Sequence, residues 1–182
     1  VATFSDITEK KKADEIIWKQ ANYDSLTNLP NRRLFDDRLK HEIKIAHRSK
    51  KLLALLFIDL DYFKHVNDNH GHEIGDMLLI SVAERISETL RATDTVARIG
   101  GDEFAAILPQ MENENDIGKV AKLIIKKLSI PFELSGININ ISASVGISIY
   151  PKNAFGAKDL LKFADKAMYK AKKEGRARIS FF

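Results

Sequence analysis

Two glycines followed by two acidic residues, Gly100 to Glu103, are the segment of this chain best suited to chemistry. The apolar run Phe104 to Leu108 follows them, so the glycines predict a tight turn between two strands. Two glycines also let a ligand approach the main chain closely. Two carboxylates beside such a turn suit a hard divalent cation. A solvated hairpin tip is the alternative, and a second acidic segment argues against it.

That second segment places Asp59 and Asp61 at the end of the apolar run Leu52 to Leu60. Their spacing puts both side chains on one side of a strand, at the carboxyl end where open sheets bind ligands. At ~4 Å, Asp59 and Asp102 would repel by about 4 kcal/mol at an effective dielectric of about 20. A bound Mg²⁺ or Mn²⁺ would relieve that repulsion. Asp61 alone is equally compatible with a capping or structural role.

The strands that must position these acids follow from hydrophobic patterning. The run Leu52 to Leu60 predicts a central strand buried on both faces. Thr95 to Ile99 and Phe104 to Leu108 predict the two arms of a hairpin. Alternation from Ile137 to Ile149 predicts one strand, and a closing strand follows at Ile179 to Phe182.

Helical spacing of apolar residues predicts helices between these strands. Asn31 is a suitable N-cap for the first amphipathic helix. The polar segment Asp6 to Tyr23 predicts a further helix, capped by Asp6 or Thr8, that needs a partner to pack on. Helices mixed with hairpin-linked strands predict an α+β fold, with a mostly antiparallel central sheet flanked by helices.

The length and composition indicate a single domain and exclude several kinds of site. The 182 residues suffice for one domain plus an appendage. A net charge of +4 does not argue for a nucleic-acid partner. The absence of cysteine excludes disulfides, thiol catalysis and zinc–thiolate sites. No apolar run reaches the length of a membrane span, so we expect a cytoplasmic chain without membrane contact, although its parent protein could be membrane-anchored.

Several motifs in one order resemble the GGDEF family of diguanylate cyclases, which make cyclic di-GMP from two GTP. Besides the two acidic segments, the resemblance includes Asp24 to Arg32, His70 to Asp76 and Met168 to Lys172. It extends over Tyr23 to Phe182 and implies a nucleotidyl-cyclase or ferredoxin-like, palm-type fold. It also implies two Mg²⁺ or Mn²⁺ ions per site, GTP as substrate and a homodimer, because one domain holds only one GTP.

The resemblance assigns roles position by position. Metal would be bound by the carboxylates of Asp59, Asp102 and Glu103 and by the Leu60 carbonyl. Asp102 could also take the proton from the attacking hydroxyl, and Lys64 would stabilise charge on the transferring phosphate. The implied substrate contacts are Asn67 and Asp76 for guanine, His72 in the same segment, Gly100 and Gly101 in the turn, and Lys172 and Arg176 for the β- and γ-phosphates.

Arg91-Ala92-Thr93-Asp94 matches the RxxD motif through which the family binds cyclic di-GMP and is inhibited by its product. An arginine can grip phosphate or stack on guanine, and a carboxylate can accept hydrogen bonds from the base. An arginine and an aspartate three residues apart are also an ordinary pair at a helix end.

Two positions depart from the family pattern without touching the implied metal ligands. Asn28 stands where the family usually has glycine, and asparagine tolerates a positive φ. Ala177 stands where the family usually has asparagine. The alternatives are a silent GTP- or cyclic di-GMP-binding regulatory domain, a one-nucleotide cyclase, or a purely structural dimerisation unit.

The ends of the chain suggest a piece of a larger signalling protein. Phe4 to Lys11 resembles the tail and exit helix of a PAS sensor domain, and Ile179 to Phe182 resembles a junction leading into an EAL phosphodiesterase domain. We therefore divide the chain into a linker helix at residues 1–22 and a catalytic domain at residues 23–182.

Overall fold

The computed structural model describes the backbone of residues 2–182 and the side chains of residues 11–182. A five-stranded sheet forms the centre, in the order β2-β3-β1-β6-β7. Its strands are β1 (Leu52–Asp61), β2 (Thr95–Gly100), β3 (Glu103–Met111), β6 (Ser142–Tyr150) and β7 (Ile179–Phe181). All pairs are antiparallel except β6 with β7. The predicted α+β class is confirmed.

Helices cover both faces of this sheet. They are α2 (Arg32–Ser49), α3 (Phe63–His70), α4 (His72–Thr89), α5 (Glu114–Leu128) and α6 (Ala157–Lys173), and α1 (Ala2–Asn22) precedes them in the chain. The core on one face is formed with α3, α4 and α5, and the core on the other with α2 and α6. Alternate residues of β1 supply the two cores, as expected for a central strand: Ala54, Leu56 and Ile58 on one face, Leu53, Leu55 and Phe57 on the other.

Two predictions about helix N-termini have opposite outcomes. Asn31 caps α2, because its side chain accepts a hydrogen bond from the Leu34 amide at 3.2 Å. The cap at Asp6 or Thr8 is wrong, because α1 already begins at Ala2 and both residues lie within it.

The segment predicted as one strand from Ile137 to Ile149 is two strands. β5 (Ile137–Ile139) pairs with β4 (Phe132–Leu134) in a separate hairpin, and β6 begins at Ser142. The turn between β4 and β5 uses Ser135 and Gly136, both at positive φ. Apolar residues continue to alternate across the break, so the pattern alone conceals it. Helix α3 was also not predicted, because its eight residues are mostly polar.

Candidate active site

Three carboxylates come together where β1 ends beside the turn between β2 and β3. Asp59 is the cross-strand partner of Glu103, so both side chains lie on the α2 and α6 face. The Leu60 amide donates to the Asp102 carbonyl at 3.3 Å, which ties the turn to the strand end. Asp59 is 5% exposed, whereas Asp102 and Glu103 are half-buried. The two distant acidic segments of the sequence thus form one cluster.

The electrostatics of this cluster are dominated by Asp59. Its pKa is raised to about 6, chiefly by burial and in addition by the charges of Asp102 and Glu103, while Lys172 opposes the change. Lys172 Nζ lies 2.6 Å from Asp59 Oδ1, yet that oxygen has no aligned hydrogen-bond donor among the described atoms. We therefore describe this contact as an ion pair. Burial and the neighbouring acids Asp102 and Asp165 also raise the pKa of Glu103.

These residues suit a divalent cation, although they do not form a closed cage. Among residues 11–182, no group of three or more histidine, aspartate or glutamate side chains is arranged to hold a metal ion. The concentrated negative charge, which Lys172 balances only in part, instead attracts an added cation. An all-oxygen donor set favours Mg²⁺ or Mn²⁺. The Leu60 side chain is buried in the opposite core, so only its backbone can reach this site.

Arg98 fastens the turn that carries Asp102. Its Nε and Nη2 donate to the Gly101 carbonyl at 2.9 and 2.8 Å, and Nη1 pairs with Asp24 at 3.1 Å. Gly101 has φ +53, a value that glycine adopts without strain. Asp24 itself accepts from the Thr27 amide and hydroxyl at 2.9 and 2.7 Å. The turn is therefore connected to the segment that follows α1.

The residues expected to recognise guanine lie together on α3 and α4. The Asn67 side chain rests against Gly75, where a Cβ would fall 1.8 Å from Asn67 Oδ1. That oxygen is buried and has no described hydrogen-bond partner. Asp76 is the next residue after Gly75 and is exposed. His72 is the exposed first residue of α4.

The cations expected to contact phosphate approach the strand end from two directions. Lys64 is exposed in the first turn of α3. The Arg176 guanidinium lies over the Tyr62 ring, 4.7 Å from its centroid. Lys172, on α6, is paired with Asp59 in this structure, so its ammonium group is already engaged by a carboxylate.

Asp61 has a structural role. Its carboxylate accepts from the Ser142 and Ser144 hydroxyls at 2.6 and 2.7 Å and from the Ala177 amide at 3.1 Å. It therefore joins β1 to β6 and to the loop after α6. Ala177 has φ +47, a conformation that asparagine tolerates better than alanine. Asn28, at φ +55, adopts the positive φ predicted for it.

Arg91 and Asp94 lie away from the carboxylate cluster, at the opposite end of β2 from the glycine turn. They form a turn between α4 and β2 rather than a helix-end pair. The Arg91 amide donates to Asp94 Oδ2, and the Asp94 amide donates to the Arg91 carbonyl, each at 2.9 Å. The Arg91 side chain is exposed.

Four contributors to the site were not predicted from the sequence: Arg98, Asp24, Arg32 and Asp165. Arg98 precedes Gly100 by two residues, so its proximity to the turn was a usable signal. Asp24 lies 74 positions before Arg98, and no sequence pattern connects them. Arg32 and Asp165 influence Glu103 only because α2 and α6 pack beside it.

Comparisons with known proteins show the family of this chain. Residues 21–178 match the protein-family model described as diguanylate cyclase, GGDEF domain. The chain is 45% identical over 175 residues to the bifunctional diguanylate cyclase/cyclic di-GMP phosphodiesterase MucR of Pseudomonas aeruginosa, covering 96% of this chain and 25% of MucR. It is 37% identical to the cyclic di-GMP phosphodiesterase PdeR of Escherichia coli, covering 100% of this chain and 27% of PdeR.

A solved structure with the same fold is the coiled coil and GGDEF domain of DgcB from Caulobacter crescentus in complex with c-di-GMP. It superposes with a TM-score of 0.91 at 28% identity, covering 100% of this chain and 96% of that one. The chain spans about a quarter of the length of the two curated relatives named above. No helix among the described residues is long and apolar enough to cross a membrane. The chain belongs to the GGDEF domain family.

Proposed function

We propose that this chain is a diguanylate cyclase domain that joins two GTP molecules into cyclic di-GMP and releases two pyrophosphates. The observation that carries the proposal is the cluster of Asp59, Asp102 and Glu103 with Lys172 at the end of β1. A buried carboxylate beside two half-buried ones is costly to a fold, and a catalytic metal site gives the cluster a use. GTP as substrate also favours a cytoplasmic location.

The proposed reaction forms two phosphodiester bonds. In each, the 3′-oxygen of one GTP attacks the α-phosphorus of the other, and the bond to the β-phosphate oxygen breaks to release pyrophosphate. Asp102 accepts the hydroxyl proton, and Lys64 stabilises charge on the phosphate. Asp59, Glu103 and the Leu60 carbonyl would hold Mg²⁺ or Mn²⁺ together with Asp102. When bound, two such ions would activate the attacking oxygen and shield phosphate charge.

Base selection would rest on Asn67 and Asp76. A carboxylate can accept from both N1–H and N2–H of guanine, a donor pair that adenine lacks. Because Gly75 has no Cβ, the Asn67 side chain can lie against α4 at this position. Asp76 is the next residue of that helix. Lys172 and Arg176 would contact the β- and γ-phosphates, with His72 and the turn glycines completing the substrate contacts.

The same proposal requires a homodimer and includes inhibition by the product, cyclic di-GMP. One domain holds one GTP, so two domains must face each other across a two-fold axis. The exposed Arg91 side chain and Asp94 would bind cyclic di-GMP and block that approach. Residues 1–22 would be the linker helix that delivers a signal from another part of a longer protein.

Asp102→Ala provides the test of the metal and base assignments. We expect it to abolish cyclic di-GMP formation from GTP and Mg²⁺ while the circular dichroism spectrum and melting temperature stay close to wild type. Asp116→Ala is a matched control, because Asp116 pairs with Lys119 on the exposed surface of α5. Turnover retained by Asp102→Ala would contradict the assignment.

A silent regulatory domain is the second candidate, because the relative PdeR is named only as a phosphodiesterase. Such a domain would bind GTP without producing cyclic di-GMP. Calorimetric titration with GTP, combined with product identification by mass, separates the two functions. Product formation excludes the silent domain, and tight GTP binding without product favours it.

A further inference from the structure

A cleft on the α2 and α6 face opens beside Glu103, and its other lining residues have no role in the function proposed above. Its volume is about 530 Å³, within the range of ligand sites. Phe57 and Leu161 line its apolar part, and α2 and α6 form its walls. We refer to it as the α2–α6 cleft.

Charged side chains line both walls at helical spacing. Arg32, Asp36 and Lys40 follow each other at four-residue intervals on α2, and so share one face of that helix. Lys158 and Lys162 line the facing wall on α6. The cleft is therefore built from two opposed charged helix faces.

The charge is distributed unevenly along the cleft. At the inner end, Asp165 and Arg32 lie close enough to Glu103 to shift its pKa. Asp165 raises the pKa of Glu103, and Arg32 lowers it. Lys158 lies seven residues from Asp165, or about 10 Å along α6. The inner end is thus acidic and continuous with the proposed metal site, whereas the outer end is basic.

The outer cations are free to bind an anion. Among the side chains of residues 11–182, neither Lys158 nor Lys162 has an ion-pair partner. Lys40 has only an exposed contact with Asp37 at 3.7 Å. Asp36 Oδ1 is buried in this wall without a described hydrogen-bond donor. A ligand that fits must offer negative charge to the lysines.

We propose that the α2–α6 cleft binds the magnesium complex of inorganic pyrophosphate, with the ion toward Glu103 and the phosphates toward Lys158 and Lys162. A hydrated cation suits the acidic end, where Glu103 and Asp165 lie. Pyrophosphate oxygens suit the lysine ammonium groups. The inference rests on the proposed function, which names pyrophosphate as the leaving group, and gives that product a route away from the carboxylate cluster.

Binding can be tested without turnover, which separates this inference from the cyclase activity. Inorganic pyrophosphate is titrated into the whole chain in the presence of Mg²⁺, and binding is monitored by calorimetry and by the ³¹P line width. We expect Lys158→Ala/Lys162→Ala to weaken binding about tenfold, as for the loss of two exposed charge contacts. The matched control Lys166→Ala/Lys170→Ala removes the same charge from α6 residues outside the cleft, and should bind like wild type.

Two results would overturn the inference. One is equal pyrophosphate affinity for the cleft variant, the control and wild type. The other is a loss of binding in Lys172→Ala with no effect of the cleft variant, which would place pyrophosphate at the β- and γ-phosphate site alone. If the chain makes cyclic di-GMP, we also expect pyrophosphate to inhibit the cleft variant less than the control, at an unchanged KM for GTP.

Discussion

At the residue scale, the buried carboxylate of Asp59 carries negative charge that Lys172 balances only in part. The pKa of Asp59 is about 6 in the folded chain against an ordinary value of 3.8. The folded chain therefore holds this proton more tightly than the unfolded chain does. The resulting stability is complete below pH 3.8 and is lost as the pH rises through about 6.

This linkage predicts a pH-dependent stability that Asp59→Asn removes. Between about pH 4 and about pH 7 in metal-free buffer, we expect the free energy of unfolding of wild type to fall by on the order of 3 kcal/mol relative to Asp59→Asn. Urea unfolding at a series of pH values measures the difference. Added Mg²⁺ should offset the fall in wild type alone, because the ion prefers the ionised carboxylate. Parallel pH profiles of the two proteins would contradict the account.

Gly75→Ala tests whether the position of Asn67 matters for GTP binding. The new methyl group would overlap Asn67 Oδ1, the end of a side chain that can rotate away. We expect the fold to survive, since alanine favours helices by about 1 kcal/mol over glycine. The KM for GTP should rise severalfold as Asn67 leaves its position. A stable variant with wild-type KM would show that Asn67 does not contact the base.

At the scale of elements, Arg98 joins three parts of the chain: the segment after α1, β2 and the glycine turn. Arg98→Ala removes two hydrogen bonds to the Gly101 carbonyl and a pair with Asp24 in which the arginine side chain is 13% exposed. We expect a loss of about 2–4 kcal/mol in unfolding free energy, as for a largely buried, hydrogen-bonded charge.

A double-mutant cycle with Asp24→Asn isolates the contribution of that pair. The two substitutions should be less than additive, because each alone removes the same ion pair. Arg98→Lys should retain part of the stability, since a lysine can pair with Asp24 but cannot also donate twice to Gly101. Additive effects in chemical unfolding would mean that the two side chains act independently.

The sequence predicted the larger elements well, for reasons visible in particular residues. The unbroken run Leu52 to Leu60 and the glycine turn have local signals, and β1, β2 and β3 match them. The break at Asn140 and Ile141 and the short helix α3 lack such signals. They depend on the pairing of β5 with β4 and on packing against the sheet, which hydrophobic periodicity does not report.

At the scale of the whole molecule, the active site is shared between segments far apart in the chain. The family resemblance implied that Asp59 and Asp102 share one site. It could not predict that Lys172 would pair with Asp59, or that Arg32 and Asp165 would flank Glu103, because those contacts depend on how α2 and α6 dock. The division at residue 22 and the homodimer stay predictions.

Product inhibition is the molecular property assigned to Arg91 and Asp94. Arg91→Ala should raise the cyclic di-GMP concentration needed for half-inhibition at least about tenfold, as expected for the loss of one charged ligand contact. Initial rates without product should stay near wild type, because this turn lies at the far end of β2 from the carboxylates. Unchanged inhibition in the variant would place the product elsewhere.

The most direct test of the central claim is the mass-identified product formed from GTP and Mg²⁺ at rising chain concentration. Two half-sites must meet, so the account predicts that cyclic di-GMP formed per chain rises with concentration and reaches its maximum when the chain is fused to a parallel dimeric coiled coil. A forced dimer that binds GTP and Mg²⁺ yet forms no cyclic di-GMP would contradict it.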